Sequence, residues 1–335
     1  MSRLFLKNII AVICVALSVI VISCDVASSD DNAVWSGAGI GSGIFWTINM
    51  RPVSARSAGA GSSYAAFSGG AARNRDFENN PSVLAAPDSG RGVDLVIARW
   101  FDDLYFNGIF ASIPSQDILK SSAFGFSLKR FATEDFLTDA RGFGTDRFQY
   151  EDISIGGAFA FNIGRGKYAG VGIRYMGEKI YNLAGSGMAF DWGFASRITD
   201  DISGGVSLLD FPGFIKYNSG YGGNLKSNLK VSLAYEPFLS WGGYMRARFF
   251  ADVNNYFVSS PSWLFEHEIA VGLEVEPYNF VSIGGGVRGF PSGGIADLKF
   301  SFGIGFSLKD KYRIDYAGEI LPLGDVHRLG VSVSF

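Results

Sequence analysis

The sequence has little of what most enzymes and metal-binding modules depend on. It carries two histidines and two cysteines among 335 residues. That leaves little material for a metal site or a disulfide framework. The net charge is −3, with 29 basic and 32 acidic residues and no basic block, so nucleic acid is excluded as a partner. No nucleophile–base pair stands out: His267 and His327 have no serine or cysteine motif beside them, and nucleophilic catalysis needs such a neighbour. The chain reads as a non-enzyme without a cofactor. A Gly-rich run, Gly37 to Gly43, lacks the preceding strand and following Lys-Ser/Thr helix that a phosphate loop needs. After the first 24 residues, no stretch reaches the ~18 apolar residues of a spanning helix.

Apolar, aromatic and glycine residues are plentiful. Hydrophobic residues make up 47%, with 30 Phe, 14 Tyr and 44 Gly. Glycine stands at nearly twice its usual ~7%. The mean hydropathy is +0.18. Disordered chains lack this much Phe, Val and Ile.

Residues 1–24 read as a signal peptide. Arg3 and Lys7 precede an apolar stretch from Ile9 to Ile22, too short for a comfortable membrane span. Val21–Cys24 resembles a bacterial lipobox, which would lipidate Cys24. Ordinary cleavage near Ser28 is the alternative. Cys14 is lost either way, so no intramolecular disulfide forms in the mature protein.

From Gly92 onward the chain alternates apolar and polar. Leu298, Phe300, Phe302, Ile304, Phe306 and Leu308 interleave with Lys299, Ser301, Gly303, Gly305 and Ser307. A period of two puts these sets on opposite faces of a strand. Fourteen such segments run from 93–101 to 327–335, each near the ~9–11 residues of a tilted membrane strand. Short connections such as Gly164–Lys167 alternate with long ones, so 131–150, 211–226 and 254–267 are expected as surface loops and the short turns as periplasmic. The last segment sets Leu329, Val331, Val333 and Phe335 on one face. Backbone groups in lipid must all be paired between strands, so the last strand must close on the first. The fold class is all-β: a transmembrane antiparallel β-barrel of 14 strands over residues 92–335, with an N-terminal hatch or plug.

Residues 25–91 form that preceding segment. They are small, Gly-rich and do not alternate. Asn80-Pro81 marks a turn, because Pro fixes φ and Asn satisfies backbone groups locally. Gly59 and Gly61 suit close approach to a wall. A flexible periplasmic tail is the other reading.

The stretch from Ala55 to Ala85, ending in "NPSVLA", resembles the start of FadL-type outer-membrane transporters and of PorV/PorQ-like barrels. The stretch from Tyr312 to Phe335, with Asp-Tyr-Ala and His-Arg, is similar to the PorV-like pattern. Ser82 and the run Arg73 to Glu78 depart from the usual motif. The resemblance implies the bacterial outer membrane and a barrel closed by a hatch. It also implies either of two roles: passive uptake of hydrophobic or small amphipathic molecules, or a platform for exported proteins. The expected partners are outer-membrane lipid and either a hydrophobic small-molecule ligand or exported proteins.

The inward parity of the predicted strands holds Arg174, Asp191, Arg197, Arg246, Arg248, Asp252, Glu268, Glu274, Arg288, Lys299, Arg313, Asp315 and Arg328. Charges lining a barrel wall must be paired or wet.

Overall fold

In the computed structural model, the described residues are 54–61, 76–86, 90–100, 104–115, 121–138, 144–180, 183–220, 222–237, 245–258, 264–290, 298–309, 311–321 and 324–335. The segment expected as a signal peptide, Cys24 and Gly37–Gly43 lie outside them.

A short helix, α1 (Ala55–Gly59), and two 3-10 turns, Asp76–Glu78 and Pro81–Ala85, come first. The strands that follow are β1 (Gly92–Arg99), β2 (Tyr105–Ser115), β3 (Ser122–Thr138), β4 (Gly144–Gly164), β5 (Lys167–Ile180), β6 (Leu183–Arg197) and β7 (Ile202–Leu209). Next are β8 (Gly213–Tyr217), β9 (Gly222–Asn224), β10 (Ser227–Tyr235), β11 (Arg246–Val258), β12 (Leu264–Tyr278) and β13 (Val281–Gly289). The last are β14 (Lys299–Leu308), β15 (Tyr312–Leu321) and β16 (Gly324–Ser334).

Fourteen of these strands close an antiparallel ring. It runs from β1 through β7, then from β10 through β16, and β16 returns to β1 with Gly92 opposite Ser334 and Arg99 opposite His327. β8 and β9 form the extra hairpin. β6 pairs with β7 over Trp192–Arg197 and with β8 over Gly185–Ala189. β8 therefore continues the line of β7 beyond a bend at Asp210–Pro212, and β9 leads into β10 in the same way. Asp210 sits at φ 57° in that bend, a region Asp tolerates better than most residues.

The burial pattern is inverted relative to a soluble protein. Ile97 is 56% exposed, whereas Asp94, three residues earlier on the same strand, is fully buried. Phe124, Phe126, Ile155, Ile173, Phe300, Phe302 and Leu329 all point outward. Water would penalise such a surface, and hydrocarbon would not. The barrel therefore spans a membrane. At one edge of the apolar band, Arg130 pairs with Glu151 on the outer face at 2.6 Å, and exposed Lys179 stands opposite Glu151. At the other edge, Tyr278 and Phe280 stack at 5.6 Å, and Tyr312 and Phe335 are exposed at the same end of their strands. Aromatic side chains favour such interfaces.

The three expected surface loops are largely strand. β3 runs to Thr138 and β4 starts at Gly144, so most of 131–150 is a paired hairpin. Residues 211–226 hold β8 and β9, and β11 and β12 extend to Val258 and from Leu264. Antiparallel backbone pairing continues past the lipid, where apolar alternation is no longer needed to support it. The connections at 181–182 and 322–323 are short although they lie at the hairpin end. Loop length is therefore sorted less strictly than the sequence suggested.

Candidate functional site in the barrel lumen

The N-terminal segment packs on the inward faces of opposite walls. α1 lies on β13–β16, and the second 3-10 turn lies on β2–β6. Ser54 starts α1 by accepting from Ser57 N at 2.8 Å, the standard cap for free N–H groups. Its far end meets the wall backbone to backbone. A Cβ added at Gly59 would fall 2.7 Å from Gly303 Cα, and one added at Gly272 would fall 1.9 Å from Ala60 O. Only glycine permits that approach. The second contact is alike: a Cβ at Gly170 would fall 2.6 Å from Pro81 C.

Asn80 and Pro81 form the turn before Ser82–Ala85. Asn80 accepts from Ser82 N at 3.1 Å and donates to Phe194 O at 3.1 Å. One side chain thus caps its own turn and holds it to β6.

Ion pairs tie this segment to the wall. Arg56 reaches Glu274 at 2.5 Å and Glu276 at 3.0 Å, and Arg248 holds the same two carboxylates at 2.7 and 2.9 Å. On the other side, Glu78 meets Lys129 at 2.5 Å and Arg174 at 3.7 Å. Arg174 also meets Asp191 at 2.6 Å and Asp210 at 2.8 Å. Burial alone would raise the Glu78 pKa, but Lys129 and Arg174 outweigh it and hold the carboxyl below its usual range.

Most charges expected on the inward parity lie buried in the lumen. Arg288 joins Glu319 at 2.9 Å and Glu268 at 3.3 Å, and Lys299 reaches Glu268 at 3.8 Å. Arg328 also pairs with Glu319. Arg313 pairs with Asp315 at 2.7 Å, and Asp252 with Lys230 at 3.1 Å. Two residues differ. Arg246 and Arg197 are exposed, because each stands at the terminal residue of its strand, β11 and β6, where the wall ends. His327, inside β16, points outward and shares a 2.7 Å hydrogen bond with Tyr316.

The charge list omitted an apolar face. Trp100, Phe106, Phe110, Phe131 and Tyr150 are buried on the inner side of β1–β4. They pack with Phe77, Val83 and Leu84 of the 3-10 turns into one cluster. Trp100 meets Phe131 edge-on at 5.6 Å, and Phe131 meets Tyr150 edge-on at 5.9 Å, a favoured aromatic geometry. Arg328 lies 5.8 Å from the Trp100 ring. β2 alternates poorly because Phe106 and Phe110 point in while Ile109 and Ile113 point out. An apolar residue on both faces was the signal in the sequence.

The lumen thus has an ionic wall and an aromatic wall, with a segment docked between them, inside a barrel that is apolar outside. This defines a closed fourteen-stranded transmembrane β-barrel with part of its N-terminal segment docked in the lumen. Among the solved structures that share the fold are three transport proteins. The toluene transporter TbuX from Ralstonia pickettii is 11% identical, with 83% of this chain and 97% of that one covered and a TM-score of 0.57. The Pseudomonas putida toluene transporter TodX is 12% identical, with 83% and 97% covered and a TM-score of 0.54. The monoaromatic hydrocarbon channel CymD is 11% identical, with 85% and 97% covered and a TM-score of 0.53. Nothing in these likenesses is specific to PorV-like barrels. No protein-family model matches the chain, and no curated protein matches it significantly.

Proposed function

We propose that the protein is an outer-membrane channel for passive uptake of hydrophobic or small amphipathic molecules, with residues 25–91 as its hatch. The observation that carries this reading is the aromatic cluster inside the lumen, contiguous with hatch residues Phe77 and Leu84. A water-filled pore for polar solutes has no use for an apolar inner face. A hydrocarbon leaving water gains roughly 25 cal/mol per Å² against it. Toluene and other monoaromatic hydrocarbons, the compounds named for the similar channels, match the size of such side chains. Lipid covers the outer face, and no enzymatic step is involved.

Uptake of labelled toluene by cells carrying the barrel in their outer membrane should exceed that of vector controls. Phe131→Ser should lower it. Uptake equal to the vector control, with the folded barrel present in the membrane fraction, rejects the reading. Exported proteins co-purifying with a barrel that takes up no toluene would favour the platform instead.

A further inference from the structure

Asp152 on β4 and Glu178 on β5 stand directly opposite each other in the antiparallel register. Both are buried, at 0% and 3% exposure. Each accepts one tyrosine hydroxyl: Tyr150 donates to Asp152 Oδ2, and Tyr217 donates to Glu178 Oε2. The remaining oxygens, Asp152 Oδ1 and Glu178 Oε1, are buried without a hydrogen-bond partner among the described residues.

Neither carboxylate has a cationic partner among the described residues. The groups acting on Asp152 are Tyr150, Glu178 and Glu151, and the group acting on Glu178 is Tyr217. Five other lumen carboxylates differ: Glu78, Asp191, Asp210, Glu274 and Glu319 each meet an Arg or Lys. Like charges directly opposite on a sheet repel, and a buried carboxylate without compensation is strongly disfavoured.

The pair must therefore be neutralised, by a shared proton or by a cation between them. The available donors are all oxygen, from two carboxylates and two phenols, which suits a hard cation rather than a soft one. The unpartnered oxygens have almost no accessible surface, so the occupant is an ion and not an organic amine. Two carboxylates balance a charge of two. We propose that Asp152 and Glu178, with Tyr150 and Tyr217, bind a hard divalent cation, Ca²⁺ or Mg²⁺.

The site joins separate elements. Tyr217 is the last residue of β8, and Glu178 lies near the hairpin end of β5. An ion there pins the β8–β9 hairpin, just beyond the Asp210–Pro212 bend, to the β4–β5 wall. This role does not depend on what the barrel transports.

Tb³⁺ is the probe, because a bound lanthanide emits when an adjacent tyrosine is excited. The full-length barrel in detergent, stripped with chelator, should give saturable tyrosine-sensitised emission that Ca²⁺ displaces. Ca²⁺ should also raise its unfolding temperature. Asp152→Asn with Glu178→Gln should abolish both effects, and Glu178→Gln alone serves if the double variant does not fold. Equal emission from wild type and variant overturns the assignment. So does a wild-type barrel whose unfolding is the same in chelator and in Ca²⁺, which would mean that the two carboxyls share a proton.

Discussion

Arg174 on β5 lies 2.8 Å from Asp210, the residue at the bend between β7 and β8. The same guanidinium lies 3.7 Å from Glu78 in the N-terminal segment. One buried cation thus links a residue of the N-terminal segment to the bend in the wall. Asp210 N donates to Asp191 Oδ1 at 2.8 Å, so backbone and side chain of the bend depend on the same cluster.

Arg174→Met should remove this link. Breaking a buried pair costs about 3–5 kcal/mol, because the partner charges stay behind. The unfolding midpoint in denaturant should fall accordingly, as measured by the loss of heat-modifiable mobility. Arg174→Met together with Asp210→Asn should recover part of the loss. No recovery would mean that the two residues act independently.

Gly272→Val should undock the N-terminal segment without harming the barrel. The new Cβ would fall 1.9 Å from Ala60 O, while the outer faces of the strands are untouched. Conductance in planar bilayers should rise above wild type and approach that of a barrel lacking 34–86. Unchanged conductance in both proteins would show that the segment does not plug the lumen.

Glu78 gives the docking a pH dependence. Its folded-state pKa is lowered from the ordinary 4.5, so its contribution is complete above that value. It is lost as pH falls through the folded-state value. Leak conductance of the wild type should therefore rise only below pH 4.5. Glu78→Gln should leak at neutral pH and show a smaller acid-induced step. An identical acid step in both proteins removes Glu78 from the account.

The topology proposed from loop lengths has a direct check. Ser219 is exposed at the tip of the β8–β9 hairpin, and Asp200 is exposed in the β6–β7 turn at the opposite end. Single cysteines at these positions should differ on intact cells, with Ser219→Cys labelled by an impermeant thiol reagent and Asp200→Cys protected. The reverse pattern would invert the barrel.

Much of the wall was legible because a strand in lipid has only two environments. Phe300, Phe302 and Phe306 on one parity and Lys299, Ser301 and Gly303 on the other leave a single assignment open. The same logic found Arg248, Glu268, Arg288, Arg313 and Arg328 inside. It could not find Phe110 or Phe131, since an inward aromatic residue looks like an outward one by type alone. It also read 211–226 as loop, because short Gly-rich strands such as β9 carry no alternation.

Alternation, then, determined the architecture: fourteen strands, their facing and closure of the ring follow from which residues hydrocarbon accepts. Pairing partners across the lumen were decided only in three dimensions. Arg56 finds Glu274 across 218 residues of sequence, and Glu78 finds Lys129 across 51. Neither separation has a period, because each distance is set by how the closed ring wraps around the segment inside it. The uncompensated pair Asp152 and Glu178 is likewise invisible along the chain. It exists because the β4–β5 register sets two carboxylates opposite each other and burial removes the water that would have screened them.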